Sequence, residues 1–392
     1  MISWPKRPPS SCHLFISSSF ILPPSSFIIV LPSRKAIHSL TPFLLVFLVA
    51  FLLSLSLTPI TARLGVRLGL ADDPGGRRRH PGQIARTGGL AIFVSFSAAT
   101  LLSLTLDLPR HDPNELTRIT GLIAGATILC VFGLLDDKFE FRPGVQFAAQ
   151  IVASLVAIAS LIIIERFNNP ITNEQIILDS ASLIVAFSLF WLMGMMNTVN
   201  WLDGLDGLAA GIAAIFSVVL FLAMIQTTST QQPQISLAPL PLALLGATLG
   251  FLPYNFQPAR VFMGSSGALV LGFALGSLGI IGGAKVATVL LALAVPILDV
   301  AWLIVSRLRQ GRSPFAGGRD HLHFRLVDRG LSQRQIVIGY WIISGLFGAL
   351  ALLIEARIYK LLALGALALV TFGVMVWAAR VKEAPTQPDE LL

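Results

Sequence analysis

The chain has 392 residues, 55% of them hydrophobic and only 12% charged, with a mean hydropathy of +0.79. These values exclude a water-soluble globular enzyme and a disordered chain, and they leave an integral membrane protein. The net charge of +8 suits a cytoplasmic face turned toward anionic headgroups and phosphates, and it requires no nucleic acid as a partner.

Residues 1–41 carry six Pro and ten Ser, and Pro23-Pro24 breaks their one apolar stretch. A regular spanning helix cannot pass through that break. The segment therefore reads as an N-terminal extension, either disordered or translated from a start codon upstream of the true one. Residues 42–380 read as one transmembrane catalytic domain and 381–392 as a cytoplasmic tail.

Apolar runs able to cross about 30 Å of hydrocarbon fall near 42–62, 88–106, 119–135, 145–164, 181–196, 208–225, 238–252, 267–283, 286–305, 335–354 and 358–379. The expected architecture is thus an all-α polytopic membrane protein of about eleven transmembrane helices. With the N-terminus outside and the C-terminus cytoplasmic, the cytoplasmic segments hold 18 Lys and Arg, and the external segments after the first helix hold six. That asymmetry sets the orientation. Cys130 lies in an apolar run far from Cys12, so neither a disulfide framework nor a cysteine metal site is indicated. Any metal must bind through oxygen or imidazole.

The same threading brings every polar motif to the cytoplasmic side, as expected of a single active site. In chain order the motifs are Asp72-Asp73-Pro74 with Arg77-Arg78-Arg79-His80 and Arg86, Asp136-Asp137-Lys138, the run from Asn197 to Gly207, Asn255 to Ser266, and Arg319-Asp320-His321-Leu322-His323. A carboxylate in hydrocarbon costs about 2.5–3.5 kcal/mol on insertion scales, so Asp203 and Asp206 are expected to face a cavity, a metal or a partner. Asp-Gly is also an ordinary turn signal, but two such dipeptides after Asn-x-x-Asn favour a polar site. Successive offsets of three drift around a helix, so Asn197 and Asn200 share a face while Asp206 does not, and Gly204 and Gly207 supply the break.

Carboxylates drawn together repel unless a cation neutralises them. An all-oxygen set built from Asp136, Asp137 and Asp203 suits Mg²⁺, with Mn²⁺ as the alternative, and Mg²⁺ favours a few carboxylates plus substrate phosphates. Arg77, Arg78, His80 and Arg86 are candidate phosphate or headgroup contacts, although a plain positive-inside cluster reads the same way. His321 and His323 would point to one side of an extended segment. Two His at that spacing suit zinc only if a third ligand is near, so phosphate contact is preferred. Gly264, Ala268, Gly272 and Gly276 recur every four residues, a ridge that lets helices approach closely.

Taken together, these blocks resemble the polyprenyl-phosphate N-acetylhexosamine-1-phosphate transferase family over about residues 42–380. The resemblance rests on Asp72 to His80 with Arg86-Thr87-Gly88-Gly89, Leu135-Asp136-Asp137, Asn197-x-x-Asn200-x-x-Asp203-Gly204-x-Asp206-Gly207, Asn255 to Gly267, and His321-Leu322-His323. It implies transfer of a sugar 1-phosphate from a UDP-sugar to a polyprenyl phosphate in the bacterial plasma membrane, with Mg²⁺ and release of UMP. Asp136, Asp137, Asp203 and Asp206 would be catalytic. Asn197, Asn200 and Asn255 would bind the sugar or uridine, and His321, His323 and the arginines the phosphates. The Arg-rich loop and His-x-His segment resemble the branch using UDP-N-acetylglucosamine. The phospho-N-acetylmuramoyl-pentapeptide branch and a non-catalytic lipid-phosphate or nucleotide binder are the alternatives, and a cation-coupled transporter fits less well, for want of a repeat. A homodimer stays open beside a monomer. Two positions depart from the family pattern: Ser265 stands where Phe-Met-Gly is usually followed by a metal-associated Asp, and Phe324 where another His is common.

Overall fold

The computed structural model describes residues 34–72, 82–110, 112–169, 172, 174–226, 234–283, 290–291, 293–312, 321–354 and 357–379. The chain divides into two compact units, Met1–Ser39 and Leu40–Leu392, and the architecture below is that of the second. Arg77, Arg78 and His80 lie outside the described residues, as do Asp73, Arg79, Arg319, Asp320 and the tail from residue 380.

Twelve helices are described: α1 (Arg34–Arg67), α2 (Gly88–Ser103), α3 (Glu115–Phe139), α4 (Pro143–Ala159), α5 (Ala181–Leu202), α6 (Leu208–Ile225), α7 (Pro239–Asn255), α8 (Gly264–Ile281), α9 (Ala294–Arg309), α10 (Leu322–Asp328), α11 (Gln333–Leu353) and α12 (Arg357–Ala379). A helix occupies each of the eleven expected runs, and the twelfth, α10, is the short His-bearing element. By length and composition seven helices are sufficient to cross a membrane: α1 (from Leu40), α3, α5, α6, α8, α11 and α12 (from Ile358). Helices α2 and α4 are apolar but shorter. Two antiparallel strand pairs occur, β1 (Ala71–Asp72) with β2 (Ile84–Ala85), and β3 (Arg166–Asn168) with β4 (Gln175–Ile177). Both are too short for hydropathy to register.

Helix α8 is the hub. Most of its length is buried and it carries no charged residue, and α3 and α5 are its chief neighbours. Lipid tails are as apolar as leucine, so burial alone does not drive helices together in a bilayer, and close approach through small residues does more. The glycine ridge supplies that approach. A Cβ at Gly272 would stand 2.5 Å from the Met196 Cα, and one at Gly276 would meet the Met195 side chain at 3.1 Å. Trp191 Nε1 donates to the Gly276 carbonyl at 3.0 Å, tying α5 to the same ridge. On the other flank, Gly89 of α2 abuts the Gly267 backbone so closely that a side chain would clash. Tyr254 and Ser54 tie α7 to α1 through hydrogen bonds to Leu55 O and Ala247 O at 3.0 and 2.7 Å.

Candidate active site

The C-terminal ends of α1, α3, α5 and α7 meet the N-terminal ends of α2, α6, α8 and α11 at one end of the bundle, where the described residues of the sequence motifs come together. Backbone pairing welds two of the loops. Ala85 bridges Val261 in parallel, Phe262 N donates to Ala85 O at 2.9 Å, and Gly88 N and Gly89 N donate to Phe262 O and Met263 O at 3.0 and 2.9 Å. The loop before α2 and the Phe262-Met263-Gly264 segment are therefore one unit.

Asp137 lies at the end of α3 against the start of α8. Its Oδ1 accepts from Ser265 N at 2.9 Å and its Oδ2 from Ser266 N at 3.5 Å, the anion-binding geometry of a helix N-terminus. Gly264 turns the chain into this position with φ +70°, and a side chain there would strike the Asp137 carboxylate and Arg86 O. Asp136, its neighbour, points elsewhere. Its oxygens accept from Phe141 N at 3.2 Å and Gln146 Nε2 at 2.8 Å, which holds the α3–α4 turn.

The central run behaves as its spacing requires: α5 ends at Leu202 and Gly207 adopts φ +81° to begin α6. Asp203 sits in that break. Burial pushes its carboxyl well above the usual carboxylate range, and the nearby Asp137 and Asp206 charges push the same way. Asp206 accepts from Ala259 N at 2.9 Å. Asn255 bridges the two loops, accepting from Gly207 N at 3.0 Å and donating to Val261 O at 3.1 Å, so it braces the turn.

Asn197 is also occupied within the protein. Its Nδ2 donates to Gln150 Oε1 at 2.7 Å and Met193 O at 2.8 Å, and Gln150 Nε2 returns a bond at 3.4 Å. The side chain of Asn200, one turn later and half-buried, makes no hydrogen bond among the described residues. Of the two amides, Asn200 is the one free to meet a ligand. Arg86 is held in an ion pair with Asp72 and lies 3.8 Å from Glu140, which sets its guanidinium beside the Asp137 pocket.

The His segment closes the site over the α5–α6 turn. The His321 ring lies 6.2 Å from that of Trp201, and a Cβ on Gly204 would stand 2.5 Å from His323 Nε2. Sequence reasoning missed the residue that holds this segment, Asp299 of α9. Asp299 Oδ1 accepts from Leu322 N at 2.8 Å, and Oδ2 lies 3.1 Å from His321 Nδ1. A lone carboxylate within an apolar helix was the available signal. His323 is fully buried, and neither ring nitrogen has a hydrogen-bond partner among the described residues. Burial lowers its pKa to about 4, and nearby His321 adds to that shift while Asp299 opposes it, so the ring is neutral at pH 7.

Among the described residues, one group of three ligand-type side chains has its atoms within 4.8 Å of one another, and it is Asp299, His321 and His323. Asp136, Asp137 and Asp203 do not form such a group. The crowding of negative charge around Asp203 nevertheless fits a divalent cation held partly by phosphate and water.

Residues 119–283 match the model of glycosyl transferase family 4. A probable undecaprenyl-phosphate N-acetylglucosaminyl 1-phosphate transferase of Bacillus subtilis is 31% identical over 316 residues, covering 79% of this chain and 84% of the relative. The chain belongs to glycosyl transferase family 4. Within the family it is also similar to an undecaprenyl-phosphate alpha-N-acetylglucosaminyl 1-phosphate transferase of Pasteurella multocida, at 30% identity over 76% of this chain and 81% of the relative. A decaprenyl-phosphate N-acetylglucosaminephosphotransferase of Mycolicibacterium smegmatis is 29% identical over 83% and 86%. The family match runs from within α3 to just past α8, the stretch that holds Asp137, Asp203 and the glycine ridge.

Proposed function

We propose that this chain transfers N-acetylglucosamine 1-phosphate from UDP-N-acetylglucosamine to a polyprenyl phosphate, releasing UMP, with Mg²⁺ as cofactor. The names of its family relatives support the reaction. The observation that carries it is the Asp137 carboxylate seated on the first turn of α8 within electrostatic reach of Asp203, beside Arg86. The full topology belongs to the same reading: eleven spans in a bacterial plasma membrane, N-terminus outside, C-terminus and active site cytoplasmic. The Lys and Arg asymmetry and the gathering of the described motif residues at one bundle end support it.

In the reaction, an oxygen of the lipid phosphate bonds to the sugar-bearing phosphorus, the bond from that phosphorus to the bridging oxygen breaks, and UMP leaves with the electron pair. A phosphate monoester, with a second pKa near 6, is largely ionised at neutral pH and needs no strong general base. In this reading Asp137 and Asp203 would hold Mg²⁺, which when bound would neutralise diphosphate charge and stabilise departing UMP. Asp136 and Asp206 keep the α3–α4 turn and the α5–α6 turn in register with them. In the same reading Asn200 would contact the sugar or uridine, and Arg86 and His321 the phosphates.

Purified full-length protein incubated with labelled UDP-N-acetylglucosamine, undecaprenyl phosphate and Mg²⁺ should yield lipid-linked label and UMP. Label appearing only with UDP-N-acetylmuramoyl-pentapeptide would move the chain to the peptidoglycan branch. Lipid-phosphate binding with no turnover on any UDP-sugar would make it a non-catalytic relative.

A further inference from the structure

We infer that Asp299 is a positioning residue, which fixes the ring of His321 so that its Nε2 is the lone-pair acceptor offered to a protonated oxygen of the substrate phosphate. The inference rests on the transfer reaction proposed above. Asp299 is only 3% exposed and lies in α9, 22 residues before the histidine it meets. Its two oxygens grip consecutive residues of the other segment: Oδ1 takes Leu322 N at 2.8 Å and Oδ2 faces His321 Nδ1 at 3.1 Å. The backbone contact locates the segment and the ring contact sets its rotation.

An imidazole whose Nδ1–H is bound by a carboxylate carries its remaining chemistry on Nε2, as a lone-pair acceptor. His321 is not wholly enclosed, at 7% exposure, and its Nε2 has no hydrogen bond among the described residues. His323 competes poorly for the same carboxylate. Its Nδ1 stands 3.8 Å from Asp299 Oδ2, beyond hydrogen-bond range, and its ring is fully buried against Gly204. The carboxylate thus selects one of two histidines two residues apart, a choice that sequence spacing alone leaves open. A metal on the same three side chains is the rival arrangement, and it would require His321 Nδ1 to give up its proton.

Asp299→Asn retains side-chain volume and an acceptor for Leu322 N, and it removes the charge facing the ring. We expect kcat for UMP release to fall about 10–100-fold, with KM for UDP-N-acetylglucosamine changed far less. His321→Gln should show a similar fall, and the double variant should be no worse than His321→Gln alone. Multiplying losses in the double variant would mean that Asp299 only supports packing, and would overturn the inference. A second readout does not depend on turnover. In ¹⁵N-histidine-labelled protein above the imidazole range of pH, signals lost in His321→Gln should report a proton on Nδ1, and Asp299→Asn should move it to Nε2. An unchanged tautomer overturns the positioning role whether or not the wild type releases UMP. Tightly bound zinc at one per chain, lost in Asp299→Asn, overturns it as well. Absence of UMP release together with the expected tautomer shift would instead count against the transfer reading alone.

Discussion

Asp137 Oδ1 accepts a hydrogen bond from Ser265 N at 2.9 Å, so the carboxylate ending one helix rests on the opening turn of another. Loss of its charge should be felt in catalysis more than in folding, because Asn keeps the volume and one acceptor. We expect Asp137→Asn to lower UMP release by at least about 100-fold while the protein stays folded and membrane-inserted. Wild-type turnover in that variant would remove Asp137 from the mechanism.

Ser265 supplies its amide to Asp137, but its side chain offers no charge where family members usually carry Asp. Because Gly264 still bends at φ +70° and Gly267 still packs on Gly89, the local backbone needs no rebuilding to accept a carboxylate. Ser265→Asp should therefore lower the Mg²⁺ concentration giving half-maximal rate, since it adds a charged oxygen ligand beside the diphosphate. A titration of rate against Mg²⁺ for both proteins decides the matter, and an unchanged or higher requirement rejects it.

The two amides of Asn197-x-x-Asn200 should separate cleanly. Asn197→Ala leaves Gln150 buried without its partner and should destabilise by about 1–3 kcal/mol, with little change in KM for the sugar nucleotide. Adding Gln150→Ala should cost much less than the sum of the single effects, because the pair fails together. Asn200→Ala should instead raise KM several-fold and leave thermal stability nearly untouched. Melting curves and steady-state kinetics on the same preparations test both, and the reverse pattern would assign substrate contact to Asn197.

The enclosure of His323 predicts an acid-side loss of stability. Its pKa falls from 6.5 to about 4 on folding, so above pH 6.5 both states are neutral and the group contributes no pH dependence. Between about 6.5 and about 4 the unfolded chain takes up a proton that the folded chain refuses, and stability declines by on the order of 3 kcal/mol across that window. His323→Gln should flatten this part of the curve relative to wild type. Identical slopes for the two proteins from pH 7 to 4.5 would show that the imidazole is not the cause.

Sidedness can be checked with single cysteines in a chain carrying Cys12→Ser and Cys130→Ala. Gly82, where an added Cβ meets nothing within 4 Å, should label from the cytoplasmic side, and the exposed Thr172 from outside. Labelling of both from one side would break the threading.

The helices were legible because apolar run length is a strong signal, and the turn at Gly204 and Gly207 because four polar groups spaced by threes cannot line one straight helix. What escaped was the division of labour among neighbours. Asp136 and Asp137 are adjacent and chemically identical, yet one is bound by Gln146 and the other by the α8 amides. Gln146 and Gln150 share a face of α4 one turn apart, and they reach Asp136 and Asn197 on two different helices. Nothing in the local pattern separates a glutamine that braces from an amide that binds. Asp299 was hidden for a related reason: its partners lie beyond the end of its own helix, in a segment read on its own as a phosphate contact.

The pairing of Ala85 with Val261, continued by the Gly88 and Gly89 amides on Phe262 O and Met263 O, bears on how slowly this region opens. These amides are protected by bonds between segments far apart in the chain, so neither loop can expose them by fraying alone. In a hydrogen–deuterium exchange experiment, the amides of Gly88, Gly89 and Phe262 should retain their protons about as long as those of the helices they adjoin. The rim of the catalytic pocket would then belong to the most slowly exchanging part of the molecule, with recognition left to individual side chains turning on a stationary backbone.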